Sequence, residues 1–78
     1  MKQEYYEQYR MVGARIAYFR KIHGLSQLEL AEKINISRTH MSRIETAECA
    51  VSLDVMFRIA ETLQEEIYKF FLFDSLLP

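Results

Sequence analysis

Two helix starts lie close together in the middle of this chain, at Ser26 and Ser37, and their spacing restricts the folds that it can adopt. Ser26 is followed three residues later by Glu29, the pattern of a capping box, so a helix is expected to begin at Ser26. Asn35 enters the left-handed region more easily than most residues, which predicts the end of that helix. Ser37 then caps a second helix. Two helices joined by so short a turn cannot lie side by side and must cross steeply.

The second of these helices has one apolar face and one polar face. Met41 and Ile44 are spaced to point inward. The positions that point away are Arg38, Thr39, Ser42 and Arg43. The pattern predicts a helix-turn-helix over residues 26–45, in which the second helix presents polar side chains to a partner.

The residues at these positions resemble those of a known family. Inside the motif the matched positions are Ser26, Gln27, Leu30, Ala31, Ile34, Ile36, Ser37, Met41, Ile44 and Glu45, and outside it they are Arg20, Gly24, Leu53, Ile59, Ala60 and Leu63. Together they resemble the phage repressor and Cro family, also called the XRE family, from about Val12 to Phe71. The resemblance implies an all-α, lambda-repressor-like DNA-binding domain of five helices, with the helix-turn-helix formed by helices two and three.

Chain length and composition indicate a single domain. The chain has 78 residues, two glycines and one proline, as expected for one compact, mostly helical unit. Within it we expect an N-terminal helical extension over residues 1–11 and a C-terminal helix and tail over residues 66–78. The single Cys49 cannot form an internal disulfide, and no signal-peptide pattern or membrane span is evident, so a cytoplasmic location without a membrane partner is expected.

Helical periodicity predicts which side chains form the core. Residues 3–23 carry an apolar stripe ended by Gly24, Ser52 caps a fourth helix, and a last helix is expected from Glu66 to Phe73 with Ile67, Phe70 and Phe71 inward. The predicted core consists of Ile16, Phe19, Leu30, Ala31, Ile34, Ile36, Met41, Ile44, Leu53, Ile59, Ala60 and Leu63. Leu28 is expected to face away from it.

Charge is distributed unevenly along the chain. The formal net charge is −1, but the segment from Arg10 to Glu45 has seven basic and three acidic residues, which leaves it at +4. The segments on either side are both negative. This asymmetry would turn the helix-turn-helix towards a polyanion, although ordinary solvated helix charges produce the same count.

Residues that could support catalysis are scarce. His23 and His40 lie on different predicted helices without partners at metal-ligand spacing, and there is no glycine-rich phosphate loop. We expect a non-enzymatic protein with no cofactor and no metal site.

The resemblance also implies roles for particular residues. Arg20 and Glu45 would form a buried ion pair that fixes the angle of the second motif helix. The expected DNA-binding residues are Gln27, Ser37, Arg38, Thr39, His40, Ser42 and Arg43. Arg38 is the best candidate to read a guanine, and Gln27 the best to meet a phosphate. The expected function is therefore a sequence-specific transcriptional regulator, a homodimeric repressor that reads an inverted repeat in double-stranded DNA.

The ends of the chain leave two interpretations open. Large apolar side chains crowd the C-terminus and are expected at a dimer interface: Phe70, Phe71, Phe73, Leu76 and Leu77. Alternatively, Tyr5, Tyr6 and Tyr9 cover them within one chain. The loop after Ile44 departs from the family, because Ala47 removes an easy left-handed cap and Glu48 removes a cation. This departure favours the alternative function of a protein-interaction module, such as an antitoxin or anti-repressor, that uses the apolar terminal surface.

Overall fold

The computed structural model describes residues 3–72 and contains only helices there. The elements are a 3₁₀ helix at Gln3–Tyr5, α1 at Tyr6–Ile22, α2 at Gln27–Lys33, α3 at Arg38–Glu45, α4 at Leu53–Leu63 and a second 3₁₀ helix at Ile67–Phe71. The predicted all-α class is confirmed, but the predicted count of five helices is wrong, because four α-helices and two short 3₁₀ helices are present in this part of the chain. No helix of residues 3–72 is long and apolar enough to cross a membrane.

A serine is the N-cap of each of the three α-helices that follow α1. Ser26 Oγ accepts a hydrogen bond from the Glu29 backbone N–H at 3.0 Å, and the Glu29 carboxylate accepts one from the Ser26 backbone N–H at 2.8 Å. Ser37 and Ser52 cap α3 and α4 through the same bond to the third residue of each helix. Each bond satisfies a backbone donor that the helix itself leaves unpaired, so the predicted starts are confirmed.

A residue in the left-handed conformation follows or ends each of the four α-helices, and two of these four residues were not expected from the sequence. Gly24, at φ 74°, and Asn35, at φ 63°, have the conformation that their residue types favour. Ala47 and Gln64 have φ values of 61° and 55°, although an L-residue with a Cβ is disfavoured there by about 1–2 kcal/mol. The expectation that Ala47 removes the left-handed cap is therefore wrong, because the chain forms this turn without a glycine.

A single apolar core lies between the helices. Its buried members are Val12, Ile16, Phe19, Leu30, Ala31, Ile34, Met41, Ile44, Val55, Met56, Ile59, Ala60, Leu63 and Phe70. Two residues that were predicted to lie in the core are not buried there. Ile36 is only partly buried against the core, and Leu53 is 63% exposed. Leu53 is the first residue of α4, where helical spacing alone does not ensure that another element covers the side chain.

The C-terminal element is shorter and more tightly wound than the predicted helix over Glu66 to Phe73. In the 3₁₀ helix at Ile67–Phe71, residues three apart eclipse one another, so Ile67 and Phe70 both face the core. The Phe70 ring is fully buried against Phe19, with ring centroids 5.0 Å apart. Phe70 is therefore a core residue and not available to a dimer interface as predicted. Phe71 was expected inward but is 44% exposed.

Polar contacts hold this 3₁₀ helix against α1. Arg15 Nε donates to the Lys69 carbonyl at 3.3 Å, and His23 Nε2 lies 2.8 Å from a Glu65 carboxylate oxygen. The His23 hydrogen bond, with a smaller contribution from Lys69, holds the pKa of Glu65 below its ordinary value. His23 is exposed, and its hydrogen bond to Glu65 ties the end of α1 to the start of the C-terminal segment.

Candidate nucleic-acid interface

The polar face of α3 is the best candidate for a binding surface. Met41 and Ile44 are fully or almost fully buried and attach the opposite face of α3 to the core. Six of the seven residues predicted to contact DNA lie on or beside this free face: Ser37, Arg38, Thr39, His40 and Arg43 are exposed, and Ser42 is half-buried. Five of them lie on α3, a helix about 12 Å long, and Ser37 lies at its N-cap, so the structure brings these six residues together.

Two arginines on this face have side chains that are not engaged by the described residues. The guanidinium groups of Arg38 and Arg43 have no hydrogen-bond or ion-pair partner among residues 3–72. The other arginines of this part of the chain are engaged: Arg10 pairs with Glu7, Arg15 with the Lys69 carbonyl, Arg20 with Glu45, and Arg58 with Asp54. The guanidinium groups of Arg38 and Arg43 are thus positioned with all their donors free for a ligand.

Ser37 is more restricted than its neighbours. Its Oγ accepts the His40 backbone N–H at 3.0 Å as the cap of α3. The hydroxyl proton remains available to donate, but the direction of the side chain is set by the cap. Ser37 can therefore contact a ligand only in the geometry that the helix start allows.

A buried ion pair fixes the other end of α3. Arg20 Nε donates to Glu45 Oε2 at 2.7 Å, and Arg20 Nη2 donates to Glu45 Oε1 at 3.0 Å. Both residues are buried, with 6% and 9% exposure. Arg20 Nη1 also donates to the Leu25 carbonyl at 2.8 Å, so one guanidinium joins α1, the turn after it and the end of α3. The pairing that the resemblance implied is present and is bidentate.

The backbones of α1 and α3 approach each other closely at Gly13. A Cβ placed on Gly13 would lie 2.5 Å from the Ile44 carbonyl oxygen and 2.6 Å from that of Glu45. Only a glycine permits this approach. Sequence reasoning missed Gly13, although a lone glycine inside a predicted helix is itself a signal of close packing.

Gln27, the seventh predicted residue, lies apart from the first turn of α3. It begins α2 and donates from its side-chain Nε2 to Glu45 Oε1 at 3.0 Å. Gln27 therefore sits beside the last residue of α3, at the end of the helix opposite Ser37. Nothing in the residue spacing indicated that this amide would contact the buried ion pair.

The turn between α2 and α3 is secured from α4. Arg58 Nη1 donates to the Ile34 carbonyl at 3.0 Å, and Arg58 Nη2 pairs with Asp54 at 2.7 Å. An Arg near a helix C-terminus satisfies carbonyls that the helix leaves unpaired. Sequence reasoning also missed this role, since nothing in the spacing of Arg58 relates it to Ile34.

Two carboxylates add negative charge to α2 and to the loop after α3. Hydrogen bonds from the Ser26 backbone N–H and then the Ser26 hydroxyl hold the pKa of Glu29 below its ordinary value, so Glu29 keeps a negative charge at the start of α2. Glu48 lies after α3 with an oxygen 3.0 Å from the Thr46 hydroxyl. Within residues 3–72, no group of three or more His, Cys, Asp and Glu side chains could hold a metal ion.

Comparison with known proteins gives both sequence and structural matches. A family model described as helix-turn-helix matches residues 16–70. A Pyrococcus furiosus protein, named as an HTH-type transcriptional regulatory protein, is 38% identical over 60 residues, which cover 77% of this chain. The chain spans only about a fifth of that relative, since the match covers 19% of its length.

Two solved structures have closely similar folds. The restriction-modification controller protein C.AhdI from Aeromonas hydrophila superposes with a TM-score of 0.81 at 29% identity, over 85% of this chain and 100% of C.AhdI. The biofilm master regulator SinR from Bacillus subtilis, crystallised in complex with DNA, superposes with a TM-score of 0.70 at 28% identity, over 76% of this chain and 95% of SinR.

Proposed function

Because this chain belongs to the helix-turn-helix family of DNA-binding transcriptional regulators, and not to a family of enzymes, we propose that it reads double-stranded DNA with α3 in the major groove. The observation that carries the proposal is the pair of guanidinium groups, Arg38 and Arg43, that no described residue engages, on the exposed face of a helix whose other face is buried. The crystallisation of SinR with DNA supports it. A DNA target also favours the cytoplasm as the location.

The proposed contacts divide between bases and phosphates. Arg38 and Thr39 lie in the first turn of α3, which reaches the base edges when a helix enters the groove by its N-terminus. Arg38 is assigned a guanine, because its planar fork matches the two acceptors on that base. The remaining proposed contacts, to bases or flanking phosphates, are Gln27, Ser37, His40, Ser42 and Arg43.

Replacing Arg38 with Ala tests the assignment. We expect affinity for the preferred sequence to fall by about 1–3 kcal/mol, with specificity relaxed at one base pair. Gln27→Ala should instead weaken binding to all sequences alike. The measurement is selection from a random DNA pool, followed by titration at several salt concentrations.

Arg10→Ala provides the matched control, since it removes the same charge from a guanidinium that is already paired with Glu7. It should leave the selected sequence unchanged. Equal losses on all sequences for Arg38→Ala and Gln27→Ala would show that Arg38 does not read a base.

We further propose a homodimer that binds an inverted repeat. A groove of about 410 Å³ is lined by Tyr5, Gln8, Tyr9, Val12, Val51, Leu53, Met56 and Phe71. Its apolar walls include two largely exposed side chains, Leu53 and Phe71, which favours further burial. Phe73, Leu76 and Leu77, also expected at the interface, lie outside the described residues.

A two-fold axis would place two α3 helices about 34 Å apart, one turn of DNA. A dimer held across an operator would exclude other proteins from that site, which is the basis for proposing repression.

Phe71→Asp is expected to convert the dimer into a monomer, because it places a charge on an apolar surface that the partner would desolvate. Sedimentation at micromolar concentration measures the mass. Phe57→Asp is the control: Phe57 is similarly exposed on α4 but does not line the groove. A wild-type monomer at this concentration would contradict the dimer.

The same groove supports a second candidate function, a protein-interaction module such as an antitoxin or anti-repressor. In that case Tyr5, Tyr9 and Phe71 would contact a different protein, and Glu48 would not oppose binding. The two functions differ in one outcome. No binding to any DNA in a large pool at low salt would favour the interaction module.

A further inference from the structure

A hydrogen bond between Gln27 and Glu45 joins the start of α2 to the end of α3, two ends that no turn of the chain connects. The turn at residues 34–37 connects the end of α2 to the start of α3. Gln27 is the first residue of α2 and Glu45 the last of α3, and a 3.0 Å hydrogen bond joins their side chains. The pair α2 and α3 is thus held at both ends, by the turn at one and by this hydrogen bond at the other.

The environment of this bond makes it stronger than an ordinary surface contact. Glu45 Oε1 accepts Gln27 Nε2 and Arg20 Nη2, each at 3.0 Å, while Oε2 accepts Arg20 Nε. The acceptor is a buried carboxylate, and hydrogen bonds to ionised groups at low dielectric are among the strong ones. One N–H of the Gln27 amide is therefore committed to Glu45 before any ligand binds.

We propose that Gln27 is a positioning residue, whose bond to Glu45 sets the tilt of α3 against α2 and so the presentation of Arg38 and Arg43. The inference rests on the proposed function, since tilt matters only if α3 enters a groove. This role differs from that of a simple phosphate ligand. A phosphate ligand contributes only when DNA is bound, whereas the Gln27 amide already donates its hydrogen bond to Glu45 in the free protein.

Gln27→Met tests the proposal, because methionine keeps the length of the side chain and removes the amide. Without DNA, we expect the melting temperature to fall by about 5–10 °C and hydrogen exchange of the α3 backbone amides to accelerate. With DNA, affinity should fall about tenfold on specific and random sequences alike, with an unchanged salt slope because no charge is removed. Gln64→Met, at an exposed glutamine that ends α4 and does not line the groove, is the control and should change none of these quantities.

A second comparison isolates the bond itself. In the Arg20→Met, Glu45→Leu double variant the acceptor is absent, so adding Gln27→Met should leave the melting temperature unchanged. A further fall there would overturn the assignment of Glu45 as the partner. Affinity lost on Gln27→Met without any change in melting temperature or α3 exchange would overturn the positioning role and make Gln27 a direct ligand. Wild-type protein that binds no DNA would overturn the proposed function, and the role with it, whatever the DNA-free measurements give.

Discussion

Glu45→Ala is expected to lower the free energy of unfolding by about 3–5 kcal/mol, because it strands the Arg20 guanidinium in the interior. Arg20 is 6% exposed and would keep only its bond to the Leu25 carbonyl. A single core in a domain of this size rarely supplies more than about 3–5 kcal/mol, so the variant should be close to unfolding at room temperature. Urea denaturation of wild type and variant at low temperature measures the difference.

Two comparisons show whether burial is the cause. Glu7→Ala removes the partner of Arg10 in a pair whose side chains are 54% and 66% exposed, and it should change the free energy of unfolding very little. The Arg20→Met, Glu45→Leu double variant should recover most of the stability lost by Glu45→Ala, since it leaves no buried charge. A Glu45→Ala cost as small as that of Glu7→Ala would mean that water reaches the pair.

Gly13→Ala is expected to destabilise the protein by about 3 kcal/mol, at the upper end of the usual cost of overpacking. The new methyl group would lie 2.5–2.6 Å from two backbone carbonyl oxygens of α3, which cannot rotate away as a side-chain tip could. The helix α1 or α3 must therefore shift. Because α3 carries the proposed DNA contacts, affinity should fall together with stability.

Helix propensity makes the opposite prediction for this substitution and thus provides the control. In a helix interior, alanine is favoured over glycine by about 1 kcal/mol. Ala14→Gly, at the exposed neighbouring position, should show this propensity alone and cost about 1 kcal/mol. If Gly13→Ala raised the denaturation midpoint, the close approach of α1 to α3 would be refuted.

Local features were predictable because short-range physics determines them. The serine caps at Ser26, Ser37 and Ser52 and the left-handed Asn35 depend on residues within one helical turn, and the sequence contains all of them. The inward face of α3 also followed from periodicity, since Met41 and Ile44 are three residues apart. These features were sufficient to place the helix-turn-helix and its exposed polar side chains, although their contacts with DNA remain proposals.

Other features depend on which elements meet in space, and periodicity does not contain that information. Leu53 has the spacing of a core residue but is exposed beside the groove. Phe70 is buried and its neighbour Phe71 is exposed, because the last element is a 3₁₀ helix. The need for glycine at position 13 arises only from the approach of α1 to α3. In the same way, Gln27 and Glu45 are 18 residues apart, and only the packing of α2 against α3 brings their side chains within hydrogen-bond distance. By itself, the sequence determined where helices begin, where they end and which faces are apolar; the tertiary structure decided which neighbours each face would meet, because a contact depends on the positions of both partners.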